Sequence, residues 1–250
     1  MTPEQSRRYG RHLQLEGFGV EAQQRLLDAH ACIIGVGGLG APVALYLAAA
    51  GVGVITLVDF DVVETSNLQR QIIHTQRDVG KFKVESGAEK LAAINPDIEV
   101  RTLARALDAD ELTALAREVD VFIDCSDNFA SRFELNAVCH ATQTPLVSGG
   151  VIRYEGQVCV FDARDPASPC YQCLYKPVNE GEGETCRQIG VLASAPGIIG
   201  SIQASEAIKL LGGLEVRPGR LLLMDIRTME WRTITLPKDP ACPVCGHDRL

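Results

Sequence analysis

At 250 residues with 46% apolar content, the chain is long enough to bury a full core, and α/β folds of this size are commonly one domain with or without an appended lobe. Its formal charge of −8 argues against nucleic acid or an anionic membrane as a general partner, since either needs a basic surface. Local arginine clusters remain able to bind phosphate.

Thr2-Pro3-Glu4-Gln5 has the pattern of a capping box with proline at the first helical position, and predicts a short helix that carries Arg7, Arg8 and Arg11. This start lacks the apolar stretch of a secretory signal, so a cytoplasmic enzyme is the expectation. A second helix is predicted over residues 20–28 and a strand over 31–36. The glycine loop Gly35-x-Gly37-Gly38-x-Gly40 follows, then a helix to about residue 50 and a strand over 54–58. Residues 31–58 carry no charge, a length that raises a membrane span. Their six glycines and Pro42 instead suit a strand buried on both faces, a turn and a helix packed on a parallel sheet.

A polar loop then carries Asp59, Asp61, Glu64, Ser66, Asn67, Gln69, Arg70 and Gln71. Helical spacing over 81–94 stops at Asn95-Pro96. The alternation continues with a strand over 98–103, a helix over 108–118, a strand over 119–125, a helix over 128–141 and a strand over 145–148. Such winding predicts a mainly parallel, Rossmann-like sheet with helices on both faces. After Gly149-Gly150 the pattern changes to antiparallel alternation over 151–161. A Gly/Glu-rich stretch over 179–185, a long helix over 198–211 and strands over 221–224 and 231–236 complete the chain. We therefore expect a nucleotide-binding region over 1–150 and an antiparallel lobe over 151–250, within one continuous domain. Trp231 is expected to pack, and His74 and His140 to be structural.

Nine cysteines, an odd number, argue against a complete disulfide framework. Cys32, Cys125, Cys139 and Cys159 fall in apolar patterns and read as small buried hydrophobes. The pairs Cys170-x-x-Cys173 and Cys242-x-x-Cys245 fit a four-thiolate structural zinc site in the second lobe; a redox dithiol or unrelated thiols are the alternatives. Cys186 follows the Gly/Glu stretch beside Arg187, a setting that permits a reactive thiol or none.

The glycine loop would present backbone N–H groups to phosphate at a helix N-terminus, and Asp59, about twenty residues on, could accept the ribose hydroxyls. That much fits a nicotinamide dehydrogenase equally well. Arg70, Lys83 and Asp127 separate the readings, because nucleotidyl transfer needs cations on developing charge and a carboxylate for a metal. All three fall at the carboxyl side of the predicted sheet. Each alone reads as a solvated charge or a cap, and Asp127-Asn128 before a helix is an evident cap.

These residues resemble the MoeB/ThiF family, relatives of the ubiquitin-activating enzymes. The resemblance is carried by Arg8-Tyr-Gly-Arg11, Gly35-Val-Gly-Gly-Leu-Gly40, Asp59-x-Asp61, Ser66-Asn-Leu-Gln-Arg-Gln71, Lys83, Asp124-Cys-Ser-Asp-Asn128, both cysteine pairs and Glu206-Ala-Ile-Lys209. It spans essentially the whole chain. It implies an adenylyltransferase that uses ATP and Mg2+ to activate the C-terminal glycine of a ubiquitin-like sulfur-carrier protein, MoaD-like or ThiS-like, for molybdopterin or thiamine biosynthesis. It further implies that the glycine loop and Asp61 lie at the nucleotide, Asp59 at the ribose, and Asn67, Arg70, Gln71 and Lys83 at the triphosphate. Asp127, with Asn128 beside it, would hold magnesium, and Arg11 would serve the partner's site in a homodimer.

In ThiF-like members a cysteine matching Cys186 is associated with covalent linkage to the carrier, whereas the MoeB-like step does not require one. Ser148, Arg153, Tyr154 and Gln157 are placed to receive the carrier's tail. No rhodanese-like extension follows Leu250, so sulfur would come from a separate donor protein. A nicotinamide dehydrogenase and a non-catalytic zinc scaffold that binds the carrier stand as alternatives.

Overall fold

The computed structural model describes residues 1–176 and 190–246; the Gly/Glu stretch and Cys186 lie outside them. The chain opens with α1 (Pro3–Arg8), α2 (Gly10–Leu13) and α3 (Gly19–Asp28). The Thr2 hydroxyl accepts the Gln5 N–H and Gln5 answers at the Thr2 N–H, the capping box read from sequence. Alternating elements follow: β1 (His30–Ile34), α4 (Gly40–Ala50), β2 (Val54–Val58), α5 (Lys83–Ile94), β3 (Glu99–Leu103), α6 (Ala109–Leu115), β4 (Val121–Asp124), α7 (Phe129–Thr142) and β5 (Leu146–Ile152). Next come β6 (Glu155–Phe161), the single turn α8 (Tyr171–Leu174), the long α9 (Ser194–Gly212), β7 (Arg220–Asp225) and β8 (Glu230–Thr235).

Among the described residues one eight-stranded sheet runs β3-β2-β1-β4-β5-β6-β7-β8. The first five strands are parallel and the last three antiparallel. Side-chain alternation divides the core in two. Ala31, Ile33, Val121 and Ile123 face a layer built from α3, α4, α5 and α9, while Cys32 and Phe122 face α6, α7 and α8. Cys32, Cys125, Cys139 and Cys159 are all buried, as their apolar surroundings suggested.

Two expectations need correction. The strand predicted over 145–148 does not stop at Gly149-Gly150; β5 runs on to Ile152 and turns back through Arg153 and Tyr154. Gly149 is there for space, since a Cβ would lie 2.2 Å from the Gln203 side chain. That buried glutamine donates to the carbonyls of Asp124 (2.8 Å) and Val147 (3.3 Å), tying α9 to the ends of β4 and β5. Trp231 does not pack inside: it is 42% exposed on the edge strand β8.

The order of strand addition reverses between β1 and β4, which are parallel neighbours. Strands β2 and β3 extend one way from β1, whereas β4 and β5 extend the other. In an open α/β sheet this reversal leaves a crevice at the carboxyl ends of the strands, where ligands collect.

Candidate active site

A cavity of about 480 Å3 occupies that crevice. Its floor is the loop after β1, where each glycine answers a different demand. Gly35 has φ +93°, and a Cβ there would lie 2.8 Å from the Cys125 carbonyl oxygen. At Gly40 a Cβ would come within 2.0 Å of the Gly35 carbonyl oxygen. These two glycines let the turn close and α4 pack. Gly37 differs, because a Cβ there would meet only the Gln71 amide, at 3.5 Å. The protein itself does not need that position empty, so the space is a cradle on the ligand side. Gly35, Gly37 and Gly38 line the cavity; Gly40 starts α4.

His74 braces this loop from below. Its Nε2 lies 3.0 Å from the Val36 carbonyl oxygen and its Nδ1 2.9 Å from Ser86 Oγ. A carbonyl can only accept, so Nε2 carries the proton and Nδ1 accepts from the serine. Burial lowers the pKa of His74 and favours this neutral form. The structural role expected of it is therefore specific.

Asp59, at the end of β2, accepts the N–H groups of Val36 and Asp61, both at 2.8 Å. Burial raises its pKa, opposed by the nearby Lys83. Lys83 opens α5 and is buried, with Nζ 2.7 Å from Asp61 Oδ2. Arg70 extends along Gly38 and donates to the Ser66 carbonyl at 3.2 Å. Gln71 is buried, yet its Oε1 has no partner within the protein. A ligand hydroxyl or a metal-bound water would satisfy it.

The opposite wall follows β4. Asp127 is exposed at the cavity rim, and Asn128 caps α7 by accepting the Ser131 N–H at 2.9 Å. Beneath them lies an ion pair that the sequence reading did not assign: Arg132 sits 3.4 Å from the fully buried Asp124. Arg132 also donates to the Ser126 carbonyl, and Asp124 accepts from Ser126 Oγ at 2.6 Å and Ser148 Oγ at 3.2 Å. The network fixes the turn that presents Asp127. Its signal in sequence was an acid at a strand end and an arginine four residues past a helix cap.

Phe129, Tyr171, Tyr175 and Arg105 complete the cavity beside Gly150, Val151, Ile152, Gly156 and Gln157. They too were not singled out, because β3, α7 and α8 bring them together only through the sheet order. Of the residues assigned to the nucleotide, Asn67 does not line the cavity. Its Oδ1 accepts the Glu64 N–H at 3.0 Å and closes a short 3-10 turn over Thr65–Asn67. Arg11 is exposed on α2 and is not among the residues that line the cavity. Of Ser148, Arg153, Tyr154 and Gln157, only Gln157 lines it.

The four cysteines meet at the far end of α8. All four Sγ atoms lie within 4.8 Å of one another, with Cys170 to Cys242 at 3.6 Å and Cys173 to Cys245 at 3.2 Å, and none is disulfide-bonded. A tetrahedral ion with about 2.3 Å bonds to sulfur holds its thiolates about 3.8 Å apart, so the cluster can take a metal with little adjustment. Burial pushes Cys170 up to about 11. Burial also opposes ionisation of Cys242, but the N–H groups of Cys245 and Val244 bring it down to about 7. Among the described residues no helix is long and apolar enough to cross a membrane.

The ThiF family model matches residues 9–244. Over 248 residues the chain is 45% identical to the molybdopterin-synthase adenylyltransferase of Escherichia coli (strain K12), covering 99% of both proteins. It is 42% identical to the sulfur carrier protein ThiS adenylyltransferase of the same organism, over 96% of this chain and 94% of that protein. The SAMP-activating enzyme E1 of Haloferax volcanii is 43% identical, over 96% and 88%. E. coli MccB, crystallised with MccA-N7isoASN, has the same fold at a TM-score of 0.81 and 25% identity, over 96% of this chain and 75% of that one. These relatives do not support the dehydrogenase or scaffold alternatives. The chain belongs to the ThiF family, and it is a nucleotidyltransferase of the adenylyltransferase kind.

Proposed function

We propose that this enzyme adenylates the C-terminal glycine carboxylate of a ubiquitin-like sulfur-carrier protein, MoaD-like or ThiS-like, with ATP as the adenylyl donor. The product would serve sulfur transfer in molybdopterin or thiamine biosynthesis. The observation that carries the proposal is the convergence of Gly37, Gly38, Asp59, Arg70, Lys83 and Asp127 on one cavity at the reversal of the sheet. Hydride transfer develops no new charge on the cofactor's phosphates, so it gives two cations and a rim carboxylate at a phosphate cradle no catalytic task. A site that must stabilise a leaving pyrophosphate does.

A carrier carboxylate oxygen bonds to the α-phosphorus while the bond from that phosphorus to the bridging α–β oxygen breaks, releasing pyrophosphate. No protein nucleophile is required. Gly37 and Gly38 hold the phosphates through backbone amides at the start of α4, and Asp59 holds the ribose. Arg70 and Lys83 neutralise charge that grows on the leaving group, and Gln71 orients a ligand hydroxyl or metal-bound water. Asp127 would hold Mg2+, which would supply Lewis-acid stabilisation of the phosphate charge. Gly150, Val151, Ile152 and Gly156 line the same cavity and would receive the extended Gly-Gly tail.

Several roles follow from kinship rather than from this geometry. Arg11, exposed on α2, would act in the partner's site of a homodimer. Asn67 would reach the triphosphate only by leaving its turn. Cys186 has a covalent role if the chain works like ThiF, and a separate protein donates the sulfur. The enzyme is proposed to be cytoplasmic. The four cysteines are proposed to bind structural Zn2+, since a closed set of four thiolates leaves no position for substrate.

The test is trapping. Enzyme, ATP, Mg2+ and a set of carriers are incubated with hydroxylamine, and a C-terminal hydroxamate should form on one carrier only when enzyme and ATP are both present. If no carrier in a set proven active with another activating enzyme yields hydroxamate, the proposal fails.

A further inference from the structure

Between the cavity and the cysteine cluster stands Asn136, on the buried face of α7 and 1% exposed. Its Oδ1 accepts the Tyr171 N–H at 2.8 Å, which fixes the orientation of the carboxamide. The other end, Nδ2, is buried and has no hydrogen-bond partner within the protein. Leaving such a donor unpaired is costly, so its surroundings matter. Asn136 and Cys170 line the same small cavity, of about 10 Å3, which is at or below the room one water needs. Of the two sulfurs that line this cavity, those of Cys139 and Cys170, only Cys170 belongs to the four-cysteine cluster and would be held as a thiolate by a metal. A neutral thiol accepts hydrogen bonds poorly, whereas a metal-bound thiolate accepts them well.

We propose that Asn136 is a positioning residue for the metal: Nδ2 donates to Cys170 Sγ once a metal holds that sulfur, while Oδ1 holds Tyr171, a wall residue of the nucleotide cavity. One carboxamide then joins the metal centre to the active site. The inference rests on the reading that the four cysteines bind a metal. The connection continues along α7, where Arg132 lies four residues before Asn136 and pairs with Asp124 beneath the Asp127 turn. The asparagine thus registers the cysteine cluster against the same helix that presents Asn128 and Arg132.

The test uses the full-length protein reconstituted with NMR-active cadmium, in which a hydrogen bond to a metal-bound sulfur transmits coupling between the metal and the donor proton. A correlation from cadmium to a side-chain amide proton is expected in wild type and should vanish in Asn136→Asp. That variant keeps an oxygen for the Tyr171 N–H but sets a carboxylate against the thiolate. Zinc should therefore leave it roughly 10–100-fold faster in a chromogenic chelator, and its cobalt form should show a shifted sulfur-to-metal charge-transfer band. A tetrathiolate cadmium signal with no side-chain amide correlation in wild type would overturn the proposal, and that result needs no folded variant. Wild-type zinc release from a folded Asn136→Asp would overturn it as well. If no tetrathiolate forms at all, the metal reading falls, and this inference with it.

Discussion

Lys83 Nζ lies 2.7 Å from Asp61 Oδ2, the lysine buried and the aspartate half-exposed. The pair holds a cation ready at the cavity while no phosphate is present. A nucleotide has to compete with Asp61 for that cation, so Lys83 should act mainly on bound substrate. Lys83→Met should lower carrier-dependent adenylation by at least about 100-fold, the scale of losing one preorganised donor to developing charge. Lys83→Arg should not restore it fully, because a planar fork does not replace a compact ammonium. Steady-state rates of all three proteins, with melting temperatures beside them, check this.

The glycines of the loop should separate folding from binding. Gly40→Ala places a Cβ 2.0 Å from the Gly35 carbonyl oxygen and should destabilise the protein strongly. Gly37→Ala meets only the Gln71 amide, at 3.5 Å, so it should melt near wild type yet bind ATP weakly. Calorimetric binding and thermal melts of both variants give the comparison. Equal stability losses in the two would refute the assignment of Gly37 to the ligand.

Asp78 ends a short 3-10 turn over Gln76–Asp78 in the loop that leads to α5. Its carboxylate is buried, a setting that disfavours charge, yet hydrogen bonds from Lys90 and from the Thr75 hydroxyl and N–H hold its pKa well below the usual range. A carboxyl depressed in the folded state stabilises fully above its unfolded value of about 4 and loses that contribution as pH falls below it. Asp78→Asn should therefore cost about 1–3 kcal/mol at neutral pH, the scale of charge-assisted hydrogen bonds. The difference from wild type should narrow on acidification below about pH 4. Denaturant melts at several pH values measure it.

The cysteine cluster joins the last described turn of the chain to α8, assisted by Lys176 Nζ to Asp239 Oδ2 at 2.9 Å. Cys242→Ser should abolish stoichiometric zinc and lower the melting temperature, and prolonged chelation of wild type should do the same. A fully demetallated protein that melts as before would remove the structural role.

Sequence made the first half of the fold legible because β1, β2 and β4 are buried on both faces and because Thr2 and Asn128 cap helices as read. Gly149 misled, since a glycine that ends a strand and one that admits the Gln203 side chain look alike in sequence. Trp231 misled because an edge strand can leave a large ring exposed. The placement of Asp59, Arg70, Lys83 and Asp127 around one cavity was legible from their order and spacing relative to the carboxyl ends of the strands. Asp124 and Arg132 were not, because their pairing depends on where α7 packs. Asn136 was invisible for the same reason.

Pyrophosphate exchange into ATP tests the central claim most directly, since it reports reversible adenylation without any sulfur donor. With labelled pyrophosphate, ATP and Mg2+, exchange should appear only when a MoaD-like or ThiS-like carrier with an intact C-terminal Gly-Gly is added. It should be lost in Arg70→Ala and Asp127→Ala proteins that still fold. Wild-type protein giving no exchange with any carrier of a proven active set would contradict the account, as would exchange undiminished in both variants.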